Sequence, residues 1–205
     1  MEPVPGVEVL LHDHAIRQVL YRYCRGIDRR DFALVRSCYH DDATDDHGNF
    51  QGGVDAFLDY AQAQLSRFDH TMHVIANVLI EQEGDRARSE AYTLAHHHVP
   101  ADSRKPERHF VVGLRYVDRF EHRDGRWAIA ERTCVFEWAR VDPVGHAFTF
   151  PPTYQMGEAF PADPVYRPLG AGRPGPAPTE HRPGVVRRGA AAGPDGAPDR
   201  TGRLP

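Results

Sequence analysis

The chain has 205 residues, enough for one domain with a real core and an appendage, and a formal net charge of −4 that argues against nucleic acid as the default partner. Cys24, Cys38 and Cys134 are odd in number and widely spaced. They fit neither a disulfide framework nor a CxxC metal site, and they suit a reducing, cytoplasmic setting. The N-terminus has no basic region followed by an apolar run, and no stretch approaches 18 apolar residues, so neither a signal peptide nor a membrane span is expected.

Residues 1–12 read as a loose N-terminal arm with two prolines. Ile16, Val19, Leu20, Tyr23, Cys24 and Ile27 then recur at helical spacing, with Arg17, Gln18, Arg22 and Arg25 on the wet side. Gly26 weakens the last turn, and Asp28 follows at the negative end of the helix dipole, where a carboxylate gains most from a positive or protonatable partner. Asp31 is placed to cap a short second helix carrying Phe32, Leu34, Val35, Cys38 and Tyr39. Residues 40–49 are polar and turn-rich, with room for one short strand. After Gly52 and Gly53, the residues Val54, Phe57, Leu58, Ala61 and Leu65 mark a third helix.

From there the period changes from 3.6 to 2. Strands are expected over 70–81, 86–99, 108–121 and 126–138, with Gly84 and Asp124-Gly125 turning the hairpins. Three helices followed by a meander of long antiparallel strands is an α+β layout, with helices on one face of a curved sheet. The cone domain is taken as 13–145, with a C-terminal extension over 146–160. Residues 161–205 hold ten prolines and eight glycines, with seven arginines against four acids. That composition buries too little apolar surface to offset its ordering entropy, so disorder is expected there.

The strand opening His70-Thr71-Met72-His73-Val74-Ile75-Ala76-Asn77 carries two histidines and an asparagine where a core strand would be apolar. Strict alternation puts His73, Ile75 and Asn77 on one face. His73 is either a core imidazole bonded to a backbone carbonyl or a proton-transfer base, since an ordinary imidazole is largely neutral at pH 7. Asp28, at the end of the first helix, is the group best placed to orient it. Tyr23 at helical spacing is a core aromatic or a hydroxyl for a substrate oxygen. An ideal helix sets Tyr23 and Asp28 ~140° apart, so both flank one pocket only if the helix ends or bends between them.

Tyr23 and Asp28 at the end of the first helix, His70-x-x-His73-x-x-x-Asn77 opening a strand, and Arg123-Asp124-Gly125-Arg126-Trp127 before the last strand together resemble the SnoaL-like branch of the nuclear transport factor 2-like superfamily over roughly residues 12–145. The resemblance implies an α+β cone whose sheet and helices enclose an apolar pocket. It is nearest to the scytalone dehydratase, bile-acid dehydratase and hexachlorocyclohexane dehydrochlorinase members. By that resemblance Asp28 orients His73, which abstracts a proton. Tyr23 stands where those enzymes place a polar group, and Arg132 stands at the position of the dehydrochlorinase arginine. The superfamily also holds isomerases, polyketide cyclases and non-catalytic binding proteins, so the fold alone leaves the chemistry open.

The expected catalytic set is therefore His73, Asp28, Tyr23 and Arg132. Arg132 reads equally as a surface ion-pair partner of Glu131 or Glu137. Asn77, His97 and His70 are candidate substrate-binding residues, with Asn77 read more plainly as a strand-end amide. Two of His96, His97 and His98 share a face and could join His70 around a metal, but no carboxylate or cysteine at suitable spacing completes a ligand set, so neither metal nor cofactor is expected. The expected activity is a dehydratase-type lyase on a small hydrophobic cyclic or polyketide-like molecule, with an isomerase, a cyclase or a binding protein as alternatives. The resemblance also implies a homodimer or homotrimer, and no nucleic-acid or membrane partner.

Overall fold

A computed structural model of the chain describes residues 6–145 and 150–171. Helix α1 spans Val7–Arg29, α2 Phe32–Ser37 and α3 Val54–Leu65. The six strands are β1 (Tyr39–Asp46), β2 (Gln51–Gly53), β3 (His70–Glu83), β4 (Arg86–Val99), β5 (Arg108–Arg123) and β6 (Arg126–Pro143). They form one mixed sheet in the order β2-β1-β6-β5-β4-β3, in which β1 runs parallel to β6 and the other pairs are antiparallel. This is an α+β cone.

The helical stripe of α1 is the side that packs: Ile16, Val19, Leu20, Tyr23, Cys24 and Ile27 are all buried. Each large aliphatic among them contributes roughly 1.5–3 kcal/mol by leaving water. Opposite them, β4 presents Ala87, Ser89, Ala91, Thr93 and Ala95, all buried and all small. Gly26 has a packing reason rather than a hinge reason. A Cβ there would stand 2.6 Å from Val35 Cγ2 and 3.1 Å from the Asp31 carbonyl oxygen. Its bareness lets α2 fold back against α1, and Asp31 caps α2 by accepting from the Leu34 amide at 3.0 Å. The β5–β6 hairpin turns on Asp124 and Gly125, both at positive φ, as a tight turn between twisted strands requires.

Several boundaries differ from the sequence reading. Helix α1 begins at Val7, so most of the expected arm is helical; residues 1–5 lie outside the described residues. The polar stretch 40–49 supplies all but the first residue of the eight-residue strand β1, held by β6 on one side and β2 on the other. Strand β6 runs on to Pro143. Residues 161–171, expected at the start of a disordered tail, are described and include a 3-10 turn over Pro164–Tyr166. The Phe160 amide donates to the Arg29 carbonyl at 2.6 Å, and the Arg29 guanidinium donates to Asp163 at 3.1 Å, tying this segment to the end of α1. Residues 172–205, the remainder of that tail, lie outside the described residues.

Candidate active site

The C-terminal turn of α1 and the first residues of β3 meet at Asp28. The His73 ring donates from Nδ1 to Asp28 Oδ1 at 2.7 Å, the His73 amide donates to Oδ2 at 2.9 Å, and the Thr71 hydroxyl donates to Oδ1 at 3.0 Å. The Asp28 and His73 side chains are 10% and 8% exposed. Burial alone would raise the Asp28 pKa, but the bonds from His73 and Thr71 outweigh it and hold the carboxyl below its ordinary value. With its Nδ1 proton committed to Asp28, a neutral His73 presents an unprotonated Nε2.

His97, on the neighbouring strand β4, meets the His73 ring edge-on at 5.7 Å. Its Nδ1 donates to the Phe110 carbonyl at 3.1 Å. Burial, and then the charge His73 can carry, push the His97 pKa down to about 4. His97 is thus a neutral wall beside His73 at physiological pH.

Tyr23 and Arg132 lie in a second cluster on the β1–β6–β5 side of α1. Arg132 is fully buried and clamps Asp118 in two bonds, Nε to Oδ1 at 2.8 Å and Nη2 to Oδ2 at 2.7 Å. Burial works against its charge, but Asp118 more than restores it and holds the guanidinium pKa up. Its plane is sandwiched between the rings of Tyr23 and Tyr116, at 4.0 and 4.1 Å. Nη1 has no hydrogen-bond partner among the described residues. The alternative surface ion pairs do not form, because Glu131 pairs with Arg119 and Glu137 with Arg115.

Tyr23 is also fully covered, and burial raises its hydroxyl pKa well above the ordinary value despite the opposing charge of Arg132. No bend in α1 brings Tyr23 and Asp28 to one side, since the helix runs unbroken through both. Each reaches a different edge of the curled sheet instead.

One expected contact is corrected. A register shift between Ile75 and Val78 interrupts the alternation of β3, so Asn77 leaves the His73 face and is exposed. His70 is exposed and sits at the outer rim, where it lines an open cleft of about 270 Å³ with Asp28, Arg29, Asp69, Thr71 and residues 157–159. His96 and His98 point away from the concave face that His97 occupies, and among the described residues no group of three or more His, Cys, Asp or Glu side chains could hold a metal ion.

Sequence reasoning missed Asp45, His47 and Asp118. The buried Asp45 carboxylate accepts the Tyr39 hydroxyl at 2.7 Å and a short bond from His47 Nδ1. The His47 ring stacks on Phe57 at 4.7 Å, and its Nε2 lies 3.5 Å from the Tyr23 hydroxyl. A signal existed for Asp118: Leu114, Tyr116, Asp118 and Phe120 alternate on one face, so the acid falls at a core position. Asp45 and His47 were masked by a polar passage with four acids, Asp41, Asp42, Asp45 and Asp46, that reads as a turn.

The chain belongs to the SnoaL-like domain family, whose profile matches residues 8–133. No curated protein matches the chain. Among solved structures, a hexachlorocyclohexane dehydrochlorinase from Novosphingobium barchaimii is similar at 19% identity, with a TM-score of 0.62 over 71% of this chain and 99% of that one. A candidate scytalone dehydratase from Novosphingobium aromaticivorans is similar at 20% identity, with a TM-score of 0.58 over 68% of this chain and 97% of that one. A candidate aromatic ring hydroxylase from the same species is similar at 20% identity, with a TM-score of 0.58 over 67% of this chain and 96% of that one. At these identities the likeness is one of fold, and the three names already span different chemistries.

Proposed function

We propose that the chain is a cofactor-independent lyase of the dehydratase type, acting on a small hydrophobic cyclic or polyketide-like β-hydroxy carbonyl compound. The observation that carries this reading is the engagement of one Asp28 carboxylate by the Nδ1, the backbone amide and the neighbouring hydroxyl of the His73 segment. The contacts fix the imidazole's tautomer and orientation, as a carboxylate does behind a general base. His73 Nε2 takes the proton α to the substrate carbonyl, and Asp28 stabilises the imidazolium that forms. His97, kept neutral, adds no second charge against that step. Tyr23 and Arg132 face the enolic or departing oxygen, and the unpartnered Arg132 Nη1 is the donor available to it. The dehydrochlorinase and dehydratase names among the structural relatives agree with an elimination. An isomerase or cyclase would use the same base and differ in where the proton returns.

The test is a mutant cycle on turnover of 3-hydroxy-1-tetralone, a bicyclic β-hydroxy ketone whose dehydration yields 1-naphthol. His73→Ala is expected to cost on the order of 10²–10⁴-fold in kcat, and Asp28→Asn somewhat less. The double variant should be scarcely worse than His73→Ala, because the pair acts as one unit. Losses that simply multiply would mean that the two residues do separate jobs.

A further inference from the structure

Among the described residues, several histidines pair with carboxylates, but Asp69 and Asp85, which face His98 and His122, are largely exposed; the carboxylate is buried in two pairs, of which Asp28–His73 is one. The other is Asp45–His47, where β1 ends. Asp45 is wholly buried at its side chain and His47 is 20% exposed, so the pair runs from the core toward solvent. The groups facing His47 are Asp45 from β1, Tyr23 from α1, and Tyr116 and Asp118 from β5, with Phe57 of α3 stacked on its ring; Tyr39 adjoins through Asp45 and Arg132 through Tyr116. His47 Nδ1 is engaged by Asp45, so the nitrogen turned to the Tyr23 hydroxyl is Nε2, at 3.5 Å. That is the long end of hydrogen-bond reach, and such bonds commonly tighten when a site is filled.

The two pairs stand toward opposite sides of the same sheet, one on edge strand β3 and the other at the end of β1, next to edge strand β2. In the strand order, β1 and β3 are separated by β6, β5 and β4. Between them lie Phe110, Val112, Leu114 and Phe136 on one face of β5 and β6, with Phe136 53% exposed and in contact range of Gly48, the residue after His47. Both pairs are also tied to one helix. His73 reaches Asp28 and His47 reaches Tyr23, five residues apart on α1, which is about 7.5 Å of helical rise. The oriented base and the Tyr23 hydroxyl thus both address the helix-covered side of the sheet, with these apolar side chains between them.

We propose that Asp45 and His47 are positioning residues that deliver a proton through Tyr23 to the departing oxygen, which makes the leaving group a hydroxyl lost as water rather than a halide lost as an anion. This rests on the elimination reading above. His73 Nε2 takes the α-proton, and the freed C–H electron pair forms the C=C bond. The β-C–O bond breaks with its electrons on oxygen, which takes the Tyr23 hydroxyl proton and leaves as water. Tyr23 regains a proton from Nε2–H of the His47 imidazolium, whose charge Asp45 compensates. His73 then returns one proton to solvent and His47 takes one up. A halide needs no such donor, so the chain from Asp45 to Tyr23 has a purpose only where oxygen leaves.

The experiment compares 3-hydroxy-1-tetralone with 3-acetoxy-1-tetralone, which gives the same product but expels a stable anion. On the full chain, His47→Gln should slow the hydroxy compound by on the order of 100-fold or more and the acetoxy compound by less than about threefold, whereas His73→Ala slows both. Asp45→Asn should repeat the His47→Gln pattern more weakly. Equal slowing of both compounds by His47→Gln would overturn the proposal, since misfolding or a lost pocket does not discriminate between leaving groups. A second measurement needs no turnover. With histidine 15N-labelled and tyrosine 13Cζ-labelled, the Tyr23 resonance should shift with the same pH midpoint as His47, and that shift should vanish in His47→Gln but persist in His73→Ala. A Tyr23 resonance indifferent to His47 would overturn the proposal on its own. If the wild type converts neither compound while Tyr23 follows His47, the elimination reading fails and the His47–Tyr23 link stands.

Discussion

At the scale of the residue, charge placed in a low-dielectric core sets the character of this molecule. Arg132 and Asp118 are buried together and bonded in two places, so each compensates the other's desolvation, and the flanking Tyr23 and Tyr116 rings supply further attraction to the cation. His97 shows the opposite outcome. It has a carbonyl partner but no carboxylate, and burial leaves its pKa at about 4 against an ordinary 6.5. A depressed value means that the unfolded chain binds the proton first. The stability contributed by neutral His97 is therefore intact above about pH 6.5 and declines as pH falls toward 4, at about 1.4 kcal/mol per pH unit inside that window. Urea unfolding of the wild type and of His97→Gln at pH 7 and pH 4.5 checks this. The variant should lose distinctly less stability on acidification, and parallel losses would assign the pH dependence to other groups.

At the scale of the element, α1 organises the site because different turns of one helix address different edges of the sheet. Tyr23 enters the cluster on β1, β5 and β6, while Asp28 meets β3. The return of the chain into α2 depends on Gly26. Alanine is favoured over glycine in a helix by about 1 kcal/mol, so Gly26→Ala would stabilise an isolated α1. In the fold, its Cβ would meet Val35 and the Asp31 carbonyl at 2.6 and 3.1 Å. Overpacking of this kind costs about 1–3 kcal/mol and outweighs the propensity gain. Gly26→Ala is expected to lower the Tm and to weaken turnover by displacing Asp28, two residues on. An unchanged or raised Tm would mean that α2 gives way freely.

At the scale of the whole molecule, the back of the sheet is unusually apolar for a surface. Met72 and Val74 on β3, Tyr92 and Leu94 on β4, and Trp138 on β6 are all exposed there, while their alternating neighbours face the core. Trp138 lies flat over Gly113, where a Cβ would come within 2.3 Å of it. These apolar side chains surround the Glu90–Arg115–Glu137 ion pairs, and self-association through this face is the expected outcome, in keeping with the homodimer or homotrimer expected from the resemblance. Sedimentation of the full chain should give a mass of two or three protomers, and the pair Leu94→Glu with Trp138→Glu should shift it toward one. A monomeric wild type would leave the sheet back without that role. Among the described residues no helix is long and apolar enough to cross a membrane.

The sequence by itself determined the elements whose periodicity is strong and local. The α1 stripe, the α3 stripe, the four long strands and the Asp124-Gly125 turn could be read because each rests on spacing within one segment. The Asp28–His73 contact was legible for a different reason: a histidine in a core strand and an acid at the wrong end of a helix each call for a partner. Tertiary structure alone decided the rest. The bulge that turns Asn77 outward depends on how β3 pairs with β4. Strand β1 exists because β6 and β2 satisfy its backbone on either side, which no reading of its acidic residues could supply. Arg132 is buried because Asp118 stands opposite it across β5 and β6, a pairing set by register. His47 meets Tyr23 because the sheet curls round α1 and brings its two edges to one helix.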